Sequence, residues 1–240
     1  MNTQLLPYGQ CLSLSGPDTV GLLERTVTCR VNDMGLGEHR PGALLTPQGK
    51  VITDFHLSRT KEGCDLAVHI DAANDLEKRL KMFRLRAKVE ITQHPIEHND
   101  PGDPARIQAG LSVFGADFGS AEIFPTDINL DVRGGIDYKK GCFVGQEVVS
   151  RMKRRGKIRK RTIVLEGTGL SKGSTVEAAG KRLGVISSTT NQFALAILRI
   201  DHLAQALAED AKIESKAIPV TAMTPDWLIS EMKALQNVST

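Results

Sequence analysis

Residues 43–57 hold two strand-length segments folded on a turn, and this pairing constrains the fold more than any other local feature. Ala43-Leu44-Leu45-Thr46 and the run from Val51 to Leu57 flank Pro47-Gln48-Gly49. A short glycine-bearing loop between two apolar runs specifies an antiparallel hairpin. Its surroundings follow the same logic. Cys11-Leu12-Ser13-Leu14-Ser15 alternates apolar and polar residues, the pattern of a half-buried strand. Gly16-Pro17 then opens a helix with proline at its first position, where the missing N–H costs nothing. Val20, Leu22 and Leu23 supply its apolar side. Leu66 to Ile70 reads as a further strand. Asp75 to Phe83 reads as a helix with Leu76, Leu80 and Phe83 at helical spacing, and Val89 to Thr92 as a closing strand. Strand, helix, three strands, helix, strand is the order of an α+β layer, a sheet with helices on one face.

Downstream the texture changes. Glu97 to Pro104 is acidic and rich in turn residues, the composition of a linker or long loop. Ala105 to Leu130 mixes short apolar runs with glycines and takes no assignment. From Arg161 onward, Thr162 to Leu165, Thr175 to Ala178, Val185 to Ser188, Phe193 to Ile200 and Ile218 to Ala222 are strand-like and separated by glycine turns. His202 to Ala208 fits a short helix among them. Closely spaced short strands predict a small barrel or sandwich. The expected division is a body over 1–156, with a break near 97–104, and a second domain over 157–240.

A chain of 240 residues with a formal charge of +3 is long enough for a sizeable core and only mildly basic. No apolar run approaches the ~20 residues of a membrane span, and the first ten residues lack the charged and apolar regions of a secretory signal. A cytoplasmic location is the expectation. The four cysteines, Cys11, Cys29, Cys64 and Cys142, form no C-x-x-C pair, so no disulfide framework and no local metal cluster is expected. His94 and His98 have i,i+4 spacing, but Pro95 between them and the prolines that follow favour a solvated linker over a metal-binding helix. Dinucleotide and phosphate-loop glycine fingerprints are absent.

The stretch that carries chemistry is Asp137-Tyr138-Lys139-Lys140-Gly141-Cys142-Phe143-Val144-Gly145-Gln146-Glu147. Two glycines bracket a cysteine just before a run of helix formers from Gln146 to Met152, in which Glu147 and Arg151 form an i,i+4 pair. The helix dipole together with Lys139 and Lys140 would favour a thiolate at Cys142; a small buried hydrophobe is the competing reading. From Arg151 to Arg161 there are eight lysines or arginines in eleven residues. Such a run suits phosphate contacts, a solvated helix end or an anionic ligand tail alike.

Lys140-Gly141-Cys142-Phe143-Val144-Gly145-Gln146-Glu147 resembles the K-G-C-[YF]-x-G-Q-E signature of the YgfZ-type folate-binding proteins, relatives of the glycine cleavage T-protein, an aminomethyltransferase. Leu14 to Asp18, Val31-Asn32-Asp33, Leu45 to Lys50, Arg106 to Gly110, Asn129-Leu130, Gly184 to Ser188 and Ala194 to Arg199 resemble further family segments in the family's order. The resemblance implies an α+β body of T-protein/YgfZ type followed by a small C-terminal β-barrel. It also implies a bound tetrahydrofolate or other reduced folate, and a role in assembly or repair of iron–sulfur enzymes, including a tRNA-modifying one. Partners would be iron–sulfur client enzymes or assembly proteins. Cys142 would be a reactive thiol or a transient cluster ligand, with no resident metal. Asp117 is the candidate acceptor for a pterin edge, and Arg106, Lys140 and Arg151 are candidates for the anionic tail. Asn32 and Asp33 at the opening, and Gly141, Gly145, Gln146 and Glu147 in the signature loop, are further folate-binding candidates. The alternatives are a folate-dependent aminomethyl- or methyltransferase and an RNA-contacting module using the basic run.

Overall fold

The computed structural model describes residues 7–97, 100, 102–156 and 158–238. Its packing divides the chain into two units, 1–100 with 113–154 and 101–112 with 155–240.

In the first unit, β1 (Gln10–Ser15), β2 (His39–Leu45), β3 (Val51–Arg59), β4 (Gly63–Val68) and β5 (Glu90–Pro95) form an antiparallel sheet of order β2-β3-β4-β1-β5. The hairpin legible in sequence is β2–β3, with a bulge between Leu44 and Leu45. Leu12, Leu14, Phe55, Leu57 and Leu66 meet Leu22 and Leu23 of α1 (Thr19–Glu24) and Leu76 and Leu80 of α2 (Ile70–Arg84) in one core. Burying such side chains contributes about 1.5–3 kcal/mol each, which makes this layer the unit's main source of stability.

Two helix starts differ from expectation. Pro17 is not the first residue of α1: Asp18 precedes the helix, and its carboxylate accepts from the Lys88 backbone N–H at 2.7 Å. Ile70 is not a strand residue. His69 caps α2 by accepting from the Asp71 N–H at 3.3 Å, so the helix begins five residues early and leaves Ile70 59% exposed. His94 lies in β5 opposite Cys11, so the pair with His98 is not helical at its first member, and His98 lies outside the described residues. Among the described residues no group of three or more metal-capable side chains occurs.

Residues 113–145, largely turns, lay a second core over the hairpin end. Ala43, Leu45 and Val51 pack with Phe118, Ile128, Leu130, Ile136, Phe143 and Val149. The segment is tied to β3 by backbone bonds from Val51 N to Ile123 O at 2.9 Å and from Ala121 N to Val51 O at 2.7 Å. It ends in α4 (Gln146–Arg154).

In the second unit, α3 (Pro104–Gln108) precedes β6 (Lys160–Glu166), β7 (Thr175–Ala178), β8 (Lys181–Thr189), β9 (Phe193–Arg199), α5 (Ile200–Ala208), β10 (Ile213–Ser215), β11 (Ile218–Pro219), β12 (Thr221–Ala222) and α6 (Asp226–Val238). The sheet order is β11-β10-β7-β8-β9-β6-β12. Its two edge strands are separated in sequence by Val220 alone. One residue cannot span an open seven-stranded sheet, so the sheet curls on itself as a barrel. β10 and α6 had no sequence reading. α6 is held by Arg161, whose Nε and second guanidinium nitrogen donate to Glu231 at 2.8 and 2.9 Å, with the guanidinium 5.4 Å from the Trp227 ring. Residues 101–112 pack with this unit, not with the body in which the sequence placed them, through Arg106 as described below. No helix among the described residues is long and apolar enough to cross a membrane.

Gly145 joins the hairpin to α4. Its φ is +80°, and a Cβ there would lie 2.6 Å from Thr46 O. Gly49, at φ +78°, in turn receives Val148 and Val149. Both conditions exclude a side chain at Gly145. Replacement Gly145→Ala should lower unfolding stability by about 2 kcal/mol or more, read as a fall in the urea midpoint at unchanged m-value; an unchanged midpoint would show that the contact bears no load.

Candidate functional site

The glycine-framed loop is fixed from beneath by the strip of residues 27–30. Asp137 N donates to Thr28 O at 3.0 Å, Thr28 Oγ1 donates to Gly135 O at 2.6 Å, and Arg30 Nε meets Asp137 Oδ2 at 2.5 Å. Asp137 also accepts from the backbone N–H groups of Lys139 and Lys140 at 2.7 and 3.0 Å. Partial burial opposes ionisation of this carboxyl, but the N–H donors and the Arg30 guanidinium outweigh it and hold it below the usual carboxylate range.

The loop's side chains then alternate in direction. Lys140 turns inward: its ammonium donates to Val27 O at 2.8 Å and Cys29 O at 2.5 Å, and lies 3.8 Å from Glu24. Burial pushes its pKa down, and Glu24 only partly restores it. Phe143 is also inward, in the hairpin-end core. Gly141 and Cys142 are left exposed. Gln146 Nε2 donates to Lys140 O at 3.2 Å, tying the start of α4 back to the loop. Cys142 opens into a solvent-facing cleft of about 580 Å³ lined by Tyr138, Phe143, Gln146, Glu147, Ser150, Lys153 and Arg154. Lys153 Nζ sits 4.2 Å over the Tyr138 ring. The other three cysteines are buried, and burial raises their thiols to about 11 (Cys11), 12 (Cys29) and 11 (Cys64). Thiolate chemistry near neutral pH is therefore closed to them.

Two expected roles are corrected. Lys140 does not lie beside the thiol, because two backbone carbonyls hold its ammonium in the interior. Arg106 is not offered to a ligand tail. It is 0% exposed within the second unit, donating to Leu111 O at 2.5 Å and Ser188 Oγ at 3.1 Å, because burying a guanidinium requires acceptors in its own neighbourhood.

The basic run is not one surface either. Arg151, Lys153 and Arg154 are on α4, Arg161 is 2% exposed and paired with Glu231, and Lys157 lies outside the described residues. Glu147 and Arg151 are 3.9 Å apart at the surface, where such a pair adds little.

The remaining candidates fall elsewhere in the first unit. Asp117 is half-buried and accepts from Val113 N at 3.0 Å, closing its own turn. Asn32 is exposed, with its N–H on Glu24, and Asp33 pairs with Arg40 at 2.6 Å. Arg40 borders a second cleft, of about 440 Å³, lined by Gly37, Glu38, His39, Arg40, Pro41, His56, Arg133 and Gly134.

Sequence reasoning missed this cleft. Asp54 and His56 fall on one face of β3, and two ionisable residues two apart, between Val51-Ile52 and Leu57, were the available signal. Asp54 is 3% exposed, accepts from Tyr8 OH at 2.6 Å and Phe114 N at 3.0 Å, and burial raises its pKa. Burial, with Arg133 and His39 nearby, pushes His56 down to about 4, so its imidazole is neutral at physiological pH.

If Lys140 is an interior anchor, Lys140→Ala should cost about 2 kcal/mol or more by stranding two buried carbonyls. The exposed neighbour Lys139→Ala should stay within about 0.5 kcal/mol. Equal effects in thermal or urea unfolding would contradict the anchoring role.

Residues 159–229 match the family model described as CAF17, C-terminal beta-barrel domain. The curated "Iron-sulfur cluster assembly factor IBA57 homolog, mitochondrial" of Mycosarcoma maydis is 25% identical over 224 residues, covering 67% of this chain and 56% of that protein. The mouse (Mus musculus) "Iron-sulfur cluster assembly factor IBA57, mitochondrial" is 34% identical over 130 residues, 51% of this chain and 36% of that protein. The chain thus spans about half the length, or less, of the curated relatives it matches. In three dimensions it superposes on the crystal structure of glycine cleavage system aminomethyltransferase T from Bartonella henselae with a TM-score of 0.73 and 13% identity, covering 94% of this chain and 85% of that one. The chain has the fold of an aminomethyltransferase T with a C-terminal β-barrel of the CAF17 kind, and its sequence is similar to that of iron–sulfur cluster assembly factors.

Proposed function

We propose that this protein is a reduced-folate-binding accessory factor for iron–sulfur cluster assembly or repair, of the YgfZ type, in which Cys142 is the working thiol. The observation that carries the reading is the alternation within the signature. Lys140 and Phe143 are drawn into the interior, and the sulfur between them is presented to solvent in a cleft with an aromatic floor. The names of the sequence relatives supply the class of client. A single thiolate cannot hold a cluster, so the cluster is cargo whose other ligands come from a partner, a second copy or a small thiol.

The fold supports a folate ligand, and the first unit has room for one. The cleft at the β2–β3 edge lies within the size range of small-molecule sites and carries polar atoms that lack partners. A reduced folate bound there would be held by Arg133 and His56 beside the buried Asp54. Its chemistry would be that of a one-carbon carrier.

Because Cys142 is exposed and belongs to none of the hydrophobic cores, Cys142→Ala should leave the unfolding midpoint and the affinity for tetrahydrofolate within error of wild type. The same variant, expressed in cells lacking the native protein, should fail to restore the activity of iron–sulfur enzymes that depend on it. Full restoration by the variant would end the proposed role of the thiol, while absent folate binding by the wild type would remove only the ligand from the reading.

A further inference from the structure

The cleft lined by residues 37–41, 56, 133 and 134 has an unusual charge and hydrogen-bond balance. Most of its polar groups are engaged. Arg40 donates to Asp33, Glu38 and the Arg30 carbonyl, and His39 Nδ1 shares a 2.6 Å contact with Ser58 Oγ. Glu38 is ionised against Arg40, which holds its pKa down. Two groups are left over. His56 is 3% exposed and its buried Nδ1 has no hydrogen-bond partner; the buried Nε of Arg133 has none either. Native proteins seldom leave buried polar atoms unpaired, and two of them in side chains that line one cleft call for a common explanation.

An arginine Nε–H can only donate, and an imidazole protonated at Nδ1 donates as well. An unpaired guanidinium N–H, beside an imidazole that donates in its Nδ1–H tautomer, selects an acceptor that carries negative charge. The carboxylates close by are taken: Asp54 is turned to Tyr8 and Phe114, and Glu38 to Arg40.

We propose that this cleft is an oxyanion site, in which Arg133 and His56 donate to the carboxylate or phosphate of a small-molecule ligand. The assignment does not depend on the thiol at Cys142. Its carboxylate arm rests on the folate reading, since a folate ends in a glutamate; its phosphate arm does not. Neutral His56 suits the task in its Nδ1–H tautomer, which offers a donor without taking up a proton from solvent.

The test is calorimetric titration of the full chain with four probes: inorganic phosphate, L-glutamate, tetrahydrofolate, and tetrahydropteroate, which lacks the glutamate. Each is run on wild type, Arg133→Gln and His56→Phe. Loss of one charge-assisted donor should weaken the responsible probe about tenfold or more. Weakening of tetrahydrofolate and glutamate, with tetrahydropteroate unmoved, supports the site and identifies its ligand as the folate tail. Weakening of phosphate with the folates unmoved supports the site and identifies a phosphate ligand. If no anionic probe binds wild type, or if all bind the two variants as tightly as wild type, the proposal is overturned. Should either variant fail to fold, the wild-type His56 Nδ1 resonance decides: a shift on addition of phosphate or tetrahydrofolate supports the site, and an unmoved resonance with both overturns it.

Discussion

The contact on which the rest depends is the inward ammonium of Lys140 on the carbonyls of Val27 and Cys29. A buried cation is costly to desolvate and stays only where acceptors are fixed in advance. Here residues 27–30 supply them, and the same strip binds Asp137 and, through Thr28, the backbone at Gly135. Once Lys140 and Phe143 are committed to the interior, the backbone between them has no freedom to bury Cys142. The two glycines complete the arrangement. Gly141 leaves the outer side open, and Gly145 lets the backbone descend onto the hairpin turn, so that α4 begins against Gly49. The thiol is thus exposed as a consequence of what its neighbours bury.

This arrangement separates the four cysteines by environment. Three are buried, and burial holds them protonated, while one stands at the lip of a cleft with Lys153 and Arg154 on its wall. Under the proposed role a single accessible sulfur is an advantage, because a second accessible thiol would compete for the same cargo. The anionic cleft ligand proposed above sits in the same unit but on different elements, the β2–β3 edge and residues 133–134, so the two sites can be altered independently.

Much of this was legible in the sequence because it is encoded locally. The hairpin needed its Pro-Gln-Gly turn, β1 its alternation, and α4 its helix formers after Gly145. The signature also singled out Cys142, the one cysteine of the four that the fold leaves exposed. What escaped was directional or long-range. A lysine beside a cysteine can add charge to the thiol or anchor the chain. Only the carbonyls of residues 27–30, more than a hundred positions away, decide between them. Arg106 read as a ligand-binding cation, yet it is consumed by Leu111 and Ser188, the latter 82 residues on. The second cleft was hidden for the same reason: His56 and Arg133 are 77 positions apart, and nothing at either site alone announces the other. Residues 101–112 looked like part of the body because they follow it in sequence, whereas their packing partners lie in the barrel unit.

The presentation of Cys142 as the one reactive sulfur can be read directly by treating native protein with less than one equivalent of iodoacetamide and mapping the label by peptide mass spectrometry. The account requires nearly all of the label on Cys142, with Cys11, Cys29 and Cys64 modified only after denaturation. Label spread over the four cysteines, or Cys142 left unmodified in the folded protein, would contradict it.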